Sequence, residues 1–442
     1  FTFRASGATA DTTRNVASNL ISASSALIMG GASAPQVATQ LDAAQLAGVG
    51  NGSGRLLIAA GGTGATTQTF ASTTLGTGAS DIVITSGGTH AALLTLGAIA
   101  RGRGATLFIG QPANTLSATN GIRTTSGTAN TVLADANGTA YAVTGANGTT
   151  VNEWVGKNAG GWLAPIGAAS YTPSVVATTT YAAGINLDVV NTNTGQWATQ
   201  TINTLRFNNT NALTATIAAG NTLTISTGGI LIGSSAGAST LTGGTIIPGA
   251  GRELVVFANG NTLTINSVLG QSSGGATDVT FRGLVSVGLA KNDVLLNANS
   301  TYSGDTYISG VRVRTDVNTV TAPFGTGLNG NIYIYGNNGG QFQSANNVTL
   351  AARNWYIIGG GWEESSSGNH HGAIRLGNGA TLQGTLNLMG DSGIRTTGTL
   401  ATVSAKLFGD FNLKARSGAG DGTINFTADN TGWAGSFDIG SG

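Results

Sequence analysis

The phrase Gly220-Asn221-Thr222-Leu223-Thr224-Ile225 returns unchanged as Gly260-Asn261-Thr262-Leu263-Thr264-Ile265, and a looser copy runs through Gly379-Ala380-Thr381-Leu382-Gln383-Gly384-Thr385-Leu386. In each copy a Gly-led turn feeds a run in which aliphatic residues alternate with Thr. Successive side chains of a strand point to opposite faces, so the aliphatics gather on one side and the threonines on the other. That is the pattern of a half-buried strand. The same alternation marks Val311-Arg312-Val313-Arg314, Ile332-Tyr333-Ile334-Tyr335, Ile374-Arg375-Leu376 and Phe411-Asn412-Leu413-Lys414. The two identical copies stand 40 residues apart, which predicts two coils of roughly 20 residues each.

One such phrase cannot bury its aliphatic face alone. Coils stacked at about 4.8 Å can, because each strand then bonds to the coils above and below it. The expected fold is all-β, an elongated β-solenoid with Gly/Asn-rich turns where positive φ is needed. At roughly 20 residues per coil the rod would be on the order of 100 Å long. The alternative is a set of β-sandwich modules, which would close paired runs with two-residue turns. The spacing of the runs permits that locally.

Composition narrows the class further. Charged residues make up 8% of the 442 residues, against a usual share of about 25%. Only four are Lys, too few to clothe the outer faces of long amphipathic helices. Apolar residues reach 40% and the net charge is +1, so the chain is neither polar enough nor charged enough for disorder. The nineteen basic residues form no stripe along the sequence, which argues against a nucleic-acid partner. The absence of Cys excludes disulfides, thiolate metal sites and cysteine nucleophiles. Apolar stretches such as Leu56 to Ala60 are too short to span a bilayer, so no membrane insertion is expected. Phe1 reads as a mature or fragment N-terminus with its leader already removed.

Three sections are expected: 1–150 as an N-terminal solenoid section, 151–173 as an aromatic and Pro-containing junction, and 174–442 as a C-terminal solenoid section. The junction carries Trp154, Trp162, Pro165 and Pro173. Residues Ala34 to Leu46 break the strand pattern and read equally as one short helix or an irregular coil.

Between Thr201 and Gly310 the chain resembles the autotransporter-associated β-strand repeat proteins. The residues that carry the likeness include Ile202-Asn203-Thr204-Leu205-Arg206-Phe207-Asn208, Thr227-Gly228-Gly229-Ile230-Leu231-Ile232 and Thr240-Leu241-Thr242-Gly243-Gly244-Thr245-Ile246. Asn299-Ser300-Thr301-Tyr302-Ser303-Gly304-Asp305-Thr306 is similar to that family's Asn-Thr-Tyr-Ser-Gly-Gly-Thr signature. The resemblance implies a right-handed parallel β-helix on a bacterial cell surface. It implies fold and location more firmly than activity. The phrase that usually precedes the signature is degraded here to Val279-Thr280-Phe281-Arg282-Gly283-Leu284.

Few residues point to chemistry. Trp362-Glu363-Glu364 and His370-His371 form the densest polar group, and two carboxylates with two imidazoles suit a divalent ion. The intervening Ser365-Ser366-Ser367-Gly368 reads instead as a solvated loop. Ser417-Gly418-Ala419-Gly420-Asp421-Gly422 partly resembles a calcium-binding turn but lacks the second acidic position and tandem copies. Arg101, Arg103, Arg312 and Arg314 read as outward, solubilising charge, with acidic glycans as the alternative. Eighteen Asp and Glu are too dispersed for the carboxylate cluster of a polysaccharide-cleaving solenoid. No catalytic residue, cofactor or metal is assigned, and the expected role is non-catalytic.

Two surfaces are candidates for partners. If Ile332 and Ile334 face inward, Tyr333 and Tyr335 form an outward aromatic face suited to sugars or to another protein. Phe1-Thr2-Phe3-Arg4 and Phe437 to Ile439 are strand-like segments near the two ends. Exposed strand edges invite another chain, and contact between unlike ends grows a fibre. The expected function is therefore an extracellular filament subunit that binds copies of itself head to tail, locked by a donated N-terminal strand. A monomeric adhesin that binds glycans or surfaces is the alternative, and a polysaccharide-active enzyme comes third.

Overall fold

The computed structural model describes residues 2–4, 21–29, 53–59, 65–85, 91–111, 116–145, 150–284, 293–325, 330–362, 370–416 and 422–438. The segment from Ala34 to Leu46, Phe1, Ile439, Glu363, Glu364 and 417–421 lie outside the described residues. What is described is nearly all β, as composition and alternation predicted, with two 3₁₀ turns at Ala168–Ser170 and Gly336–Asn338. The chain divides into two compact units, Phe1–Tyr171 and Thr172–Gly442.

In the first unit, Thr2–Arg4, Ser53–Ala59, Gly78–Thr85, Ala105–Gly110 and Ala142–Gly145 pair in parallel, each with the next. Two three-stranded parallel sheets accompany them. One holds Ala26–Met29, Ser72–Leu75 and Ala98–Arg101, and the other Thr66–Thr69, Ala92–Thr95 and Gly121–Arg123. A strand pairs with one 26 or 27 residues further on, as Thr66 does with Ala92 and Gly78 with Ala105. The parallel order then stops. Glu153–Lys157 runs antiparallel to Ala142–Gly145, Thr131–Val132 and Leu163–Pro165. Trp154 and Trp162 are buried there, and the Arg123 guanidinium lies 4.7 Å over the Trp162 ring. Through Tyr171, then, the segment expected as a junction packs with the first unit.

The second unit is one large sheet whose registered pairs from Asn186 to Asp438 are all parallel, where hairpin modules would pair antiparallel. Its strands fall into three columns, visited in turn. Thr222–Ile232 supplies two of them: Thr222 pairs Thr245, and Gly229 pairs Val255. The third column runs Leu213, Ser239, Leu263 and Val294. Partners lie 23 to 31 residues apart, from Ile332 with Trp355 to Arg353 with Gly384. This corrects the expected 20-residue coil. The repeated phrases do not stack on each other: Leu223 pairs Ile246, whereas Leu263 pairs Ser239 and Val294. Forty residues is thus a shift from one column to another, because a complete pass holds three strands.

Inward positions align through the layers. Leu187, Leu205, Ile230, Val256, Phe281, Ile308, Ile334, Ile357 and Leu388 are successive partners and all are buried. Each such burial contributes about 1.5–3 kcal/mol relative to exposure. Between columns the chain must turn against the next layer. Gly228 does so at φ +71°, and a Cβ there would run into the Glu253 carbonyl oxygen, so only glycine fits.

Candidate functional site

The tyrosines are the clearest outward feature. Ile332 and Ile334 are buried in the core, so alternation turns Tyr333 outward. Tyr307, Tyr333 and Tyr356 are register partners on three successive layers. Their rings stack at 5.2 and 4.9 Å between centroids, 8° and 25° from parallel. Tyr307 is buried and donates its hydroxyl to Asp305 Oδ2 at 3.2 Å, and Asn331 Nδ2 donates to the Tyr333 hydroxyl at 3.1 Å. Burial pushes the Tyr307 hydroxyl up from its ordinary value, reinforced by Asp305, Asp278 and Glu253. Burial likewise raises Tyr333.

Tyr335 does not join this face. It is 1% exposed, packed with Tyr307 and Ile358 beside the turn Gly336–Asn338. Alternation gives the direction of a side chain but not what the following turn lays over it. The remaining column also differs from a sugar platform. Stacked rings spend their faces on one another and present edges, while a sugar needs an open face. Next to the rings stands a polar ladder: Asn354 Nδ2 donates to Asn331 Oδ1 at 3.2 Å, and Thr385 Oγ1 donates to Asn354 Oδ1 at 3.0 Å.

The candidate assembly segments are both edge strands. Thr2, Phe3 and Arg4 pair in parallel with Leu57, Ile58 and Ala59. They are thus already built into their own unit, and an unpaired arm for donation is replaced by an edge strand with one open side among the described strands. Phe437–Asp438 pairs with Leu413 and Lys414 at the end of the large sheet. Phe437 is 42% exposed and contacts Phe426 and Trp433 at 5.0 and 4.7 Å. Leu400, Phe408 and Phe411, on the last strands and the turn between them, are exposed as well.

The outward charges form columns that sequence reading missed. Arg314, Gln343, Arg375, Arg395 and Arg416 are consecutive register partners. Each Arg had been visible within a short alternating run, but only strand register shows that they align. The only sequence signal is the placing of Arg375 and Arg395 after Ile374 and Ile394.

His370 Nδ1 lies 3.2 Å from the Gly361 carbonyl oxygen, while His371 Nδ1 accepts from Arg395 Nη1 at 2.6 Å. The adjacent imidazoles therefore serve different partners. Among the described residues no group of three or more His, Asp or Glu is arranged to hold a metal ion. A crevice lined by Phe324, Arg353 and Trp355 has a volume of about 10 Å³, room for roughly one water. Among the described residues no helix is long and apolar enough to cross a membrane, which says nothing of a β-barrel. No family model matches the chain, and no curated protein or solved structure matches it either.

Proposed function

We propose that this chain is a non-catalytic, right-handed parallel β-solenoid and an extracellular subunit of a bacterial cell-surface filament, assembled head to tail. The observation that carries the reading is the pair of edge strands, Thr2–Arg4 and Phe437–Asp438, each bonded in parallel on one side only among the described strands. One edge offers what the other lacks, so a second copy extends the ladder without changing its direction. Contact between unlike ends does not close on itself. The exposed Leu400, Phe408, Phe411 and Phe437 near the second edge give such a contact apolar surface to bury. The sequence resemblance to autotransporter-associated repeat proteins supports the handedness and the cell-surface location.

Electron microscopy of the purified chain in dilute neutral buffer tests this reading. Regular fibres are expected, with a fibre-diffraction spacing of about 4.8 Å along the axis. Deleting residues 1–4 should abolish them. Isolated particles at every concentration would overturn the filament and shift the weight to a monomeric adhesin.

A further inference from the structure

The column Arg314, Gln343, Arg375, Arg395 and Arg416 runs across five successive layers of the second unit. Its members alternate with core residues. Val313, Phe342, Ile374 and Ile394 are buried, whereas Arg314, Gln343, Arg375 and Arg395 are half-buried and point the other way. Arg416 stands at the same register position. The chain has only nineteen basic residues, and three of them, Arg375, Arg395 and Arg416, are direct cross-strand neighbours.

Like charges directly opposite each other destabilise a strand pair. The layers are about 4.8 Å apart, well inside the screening length at physiological salt. A few positions away the same unit fills an outward column with Asn331, Asn354 and Thr385, whose side chains hydrogen-bond from layer to layer. That is the stabilising choice. An arginine column gives up this gain in exchange for a line of forked, permanently charged donors. Arg314 is held by Asp293 at 3.4 Å and Asp316 at 3.3 Å, and Arg395 meets His371. These contacts orient the side chains, and no carboxylate stands in the column itself.

We infer that this column binds a linear acidic polysaccharide, a polyuronate lying along the stacking direction with one sugar carboxylate per layer. The spacing selects the class. An extended acidic peptide places same-side carboxylates about 6.7 Å apart, out of step with the layers. Single-stranded nucleic acid is gripped by aromatic side chains on which bases stack, and this column has none. A uronate chain carries one carboxylate on each ring, and a guanidinium meets a carboxylate in a bidentate, charge-assisted pair. The inference concerns a strand face rather than an end, so it stands whether or not the chain polymerises.

Calorimetric titration of the full chain with galacturonate oligomers of two to eight sugars tests it. Affinity should rise with length and level off at about four or five sugars, the span of the column, and should fall with salt. Arg375→Gln and Arg395→Gln should each weaken binding about tenfold without lowering the melting temperature, and Arg395→Lys should recover part of the loss. If one variant fails to fold, the other and Arg314→Gln carry the comparison. Absence of binding, affinity independent of length, equal binding by folded Gln variants, or tighter binding of oligothymidylate would each overturn the proposal.

Discussion

Arg206 closes on Asp188 of the preceding layer with both ends of its fork, Nε to Oδ1 at 3.1 Å and Nη2 to Oδ2 at 2.6 Å. Arg206 is 5% exposed, so the pair is shielded from water. Arg312 repeats the arrangement on Asp293, at 2.9 and 2.8 Å. In a chain this poor in charge, these pairs tie one layer to the next rather than decorate the surface.

Removing one partner of a buried pair leaves the other charge uncompensated, at a cost of about 3–5 kcal/mol. Asp188→Ala should therefore destabilise the second unit by that order. Replacing both residues, as Asp188→Leu with Arg206→Met, should recover most of the loss. Chemical denaturation followed by circular dichroism checks both, and a double variant no better than the single one would count against the pairing.

Gly228 presents a different kind of constraint. At φ +71° and against the Glu253 carbonyl, it admits no side chain without moving the backbone of the next layer. Gly228→Ala should cost more than the ordinary ~1 kcal/mol difference between glycine and alanine. Gly220→Ala is the control: φ is +78° there, but the space a Cβ would enter is empty. The first variant should melt well below the second.

How much of this was legible in sequence follows from what alternation encodes. Period 2 assigns a side, so the inward Ile332 and Ile334 and the outward Tyr333 were readable. It does not assign a neighbour. Strands of one column are separated by two others and by turns of varying length, so identical phrases such as those at Gly220 and Gly260 fall in different columns. The period was misjudged for that reason. The arginine column was invisible for the same reason, since Arg375 and Arg395 become neighbours only through register. Tyr335 was lost to a turn, a local event that no alternation records.

The tyrosines give a pH signature. Burial raises the hydroxyls of Tyr141, Tyr302 and Tyr335 above their ordinary value, aided for Tyr141 by Asp135 and opposed by Arg101. The folded state thus favours the neutral form. Its contribution to stability is fully present below the ordinary tyrosine value near pH 10 and is lost as pH rises towards the higher folded values. Absorbance titration at the phenolate band should show fewer than the eight tyrosines ionising before the fold is lost. The rest should appear abruptly with alkaline unfolding. A smooth curve for all eight at once would contradict their burial.

Ile308 lies in the middle of the longest core column, between Phe281 and Ile334. It is fully buried in a cluster that shares no residue with the core of the first unit. Ile308→Ala should cost about 2–5 kcal/mol, since the surrounding layers can collapse only partly onto the space left behind. In a stacked architecture each layer contacts mainly its neighbours, so the loss should be felt locally before it is felt globally. Hydrogen exchange should show protection falling first in Val279–Arg282, Thr306–Ser309 and Asn331–Tyr335. Amides of Gly78–Thr85 and Ala105–Gly110 in the first unit should keep their rates. If protection falls equally in both units, the two cores fold as one cooperative body, and the layer-by-layer account of stability fails.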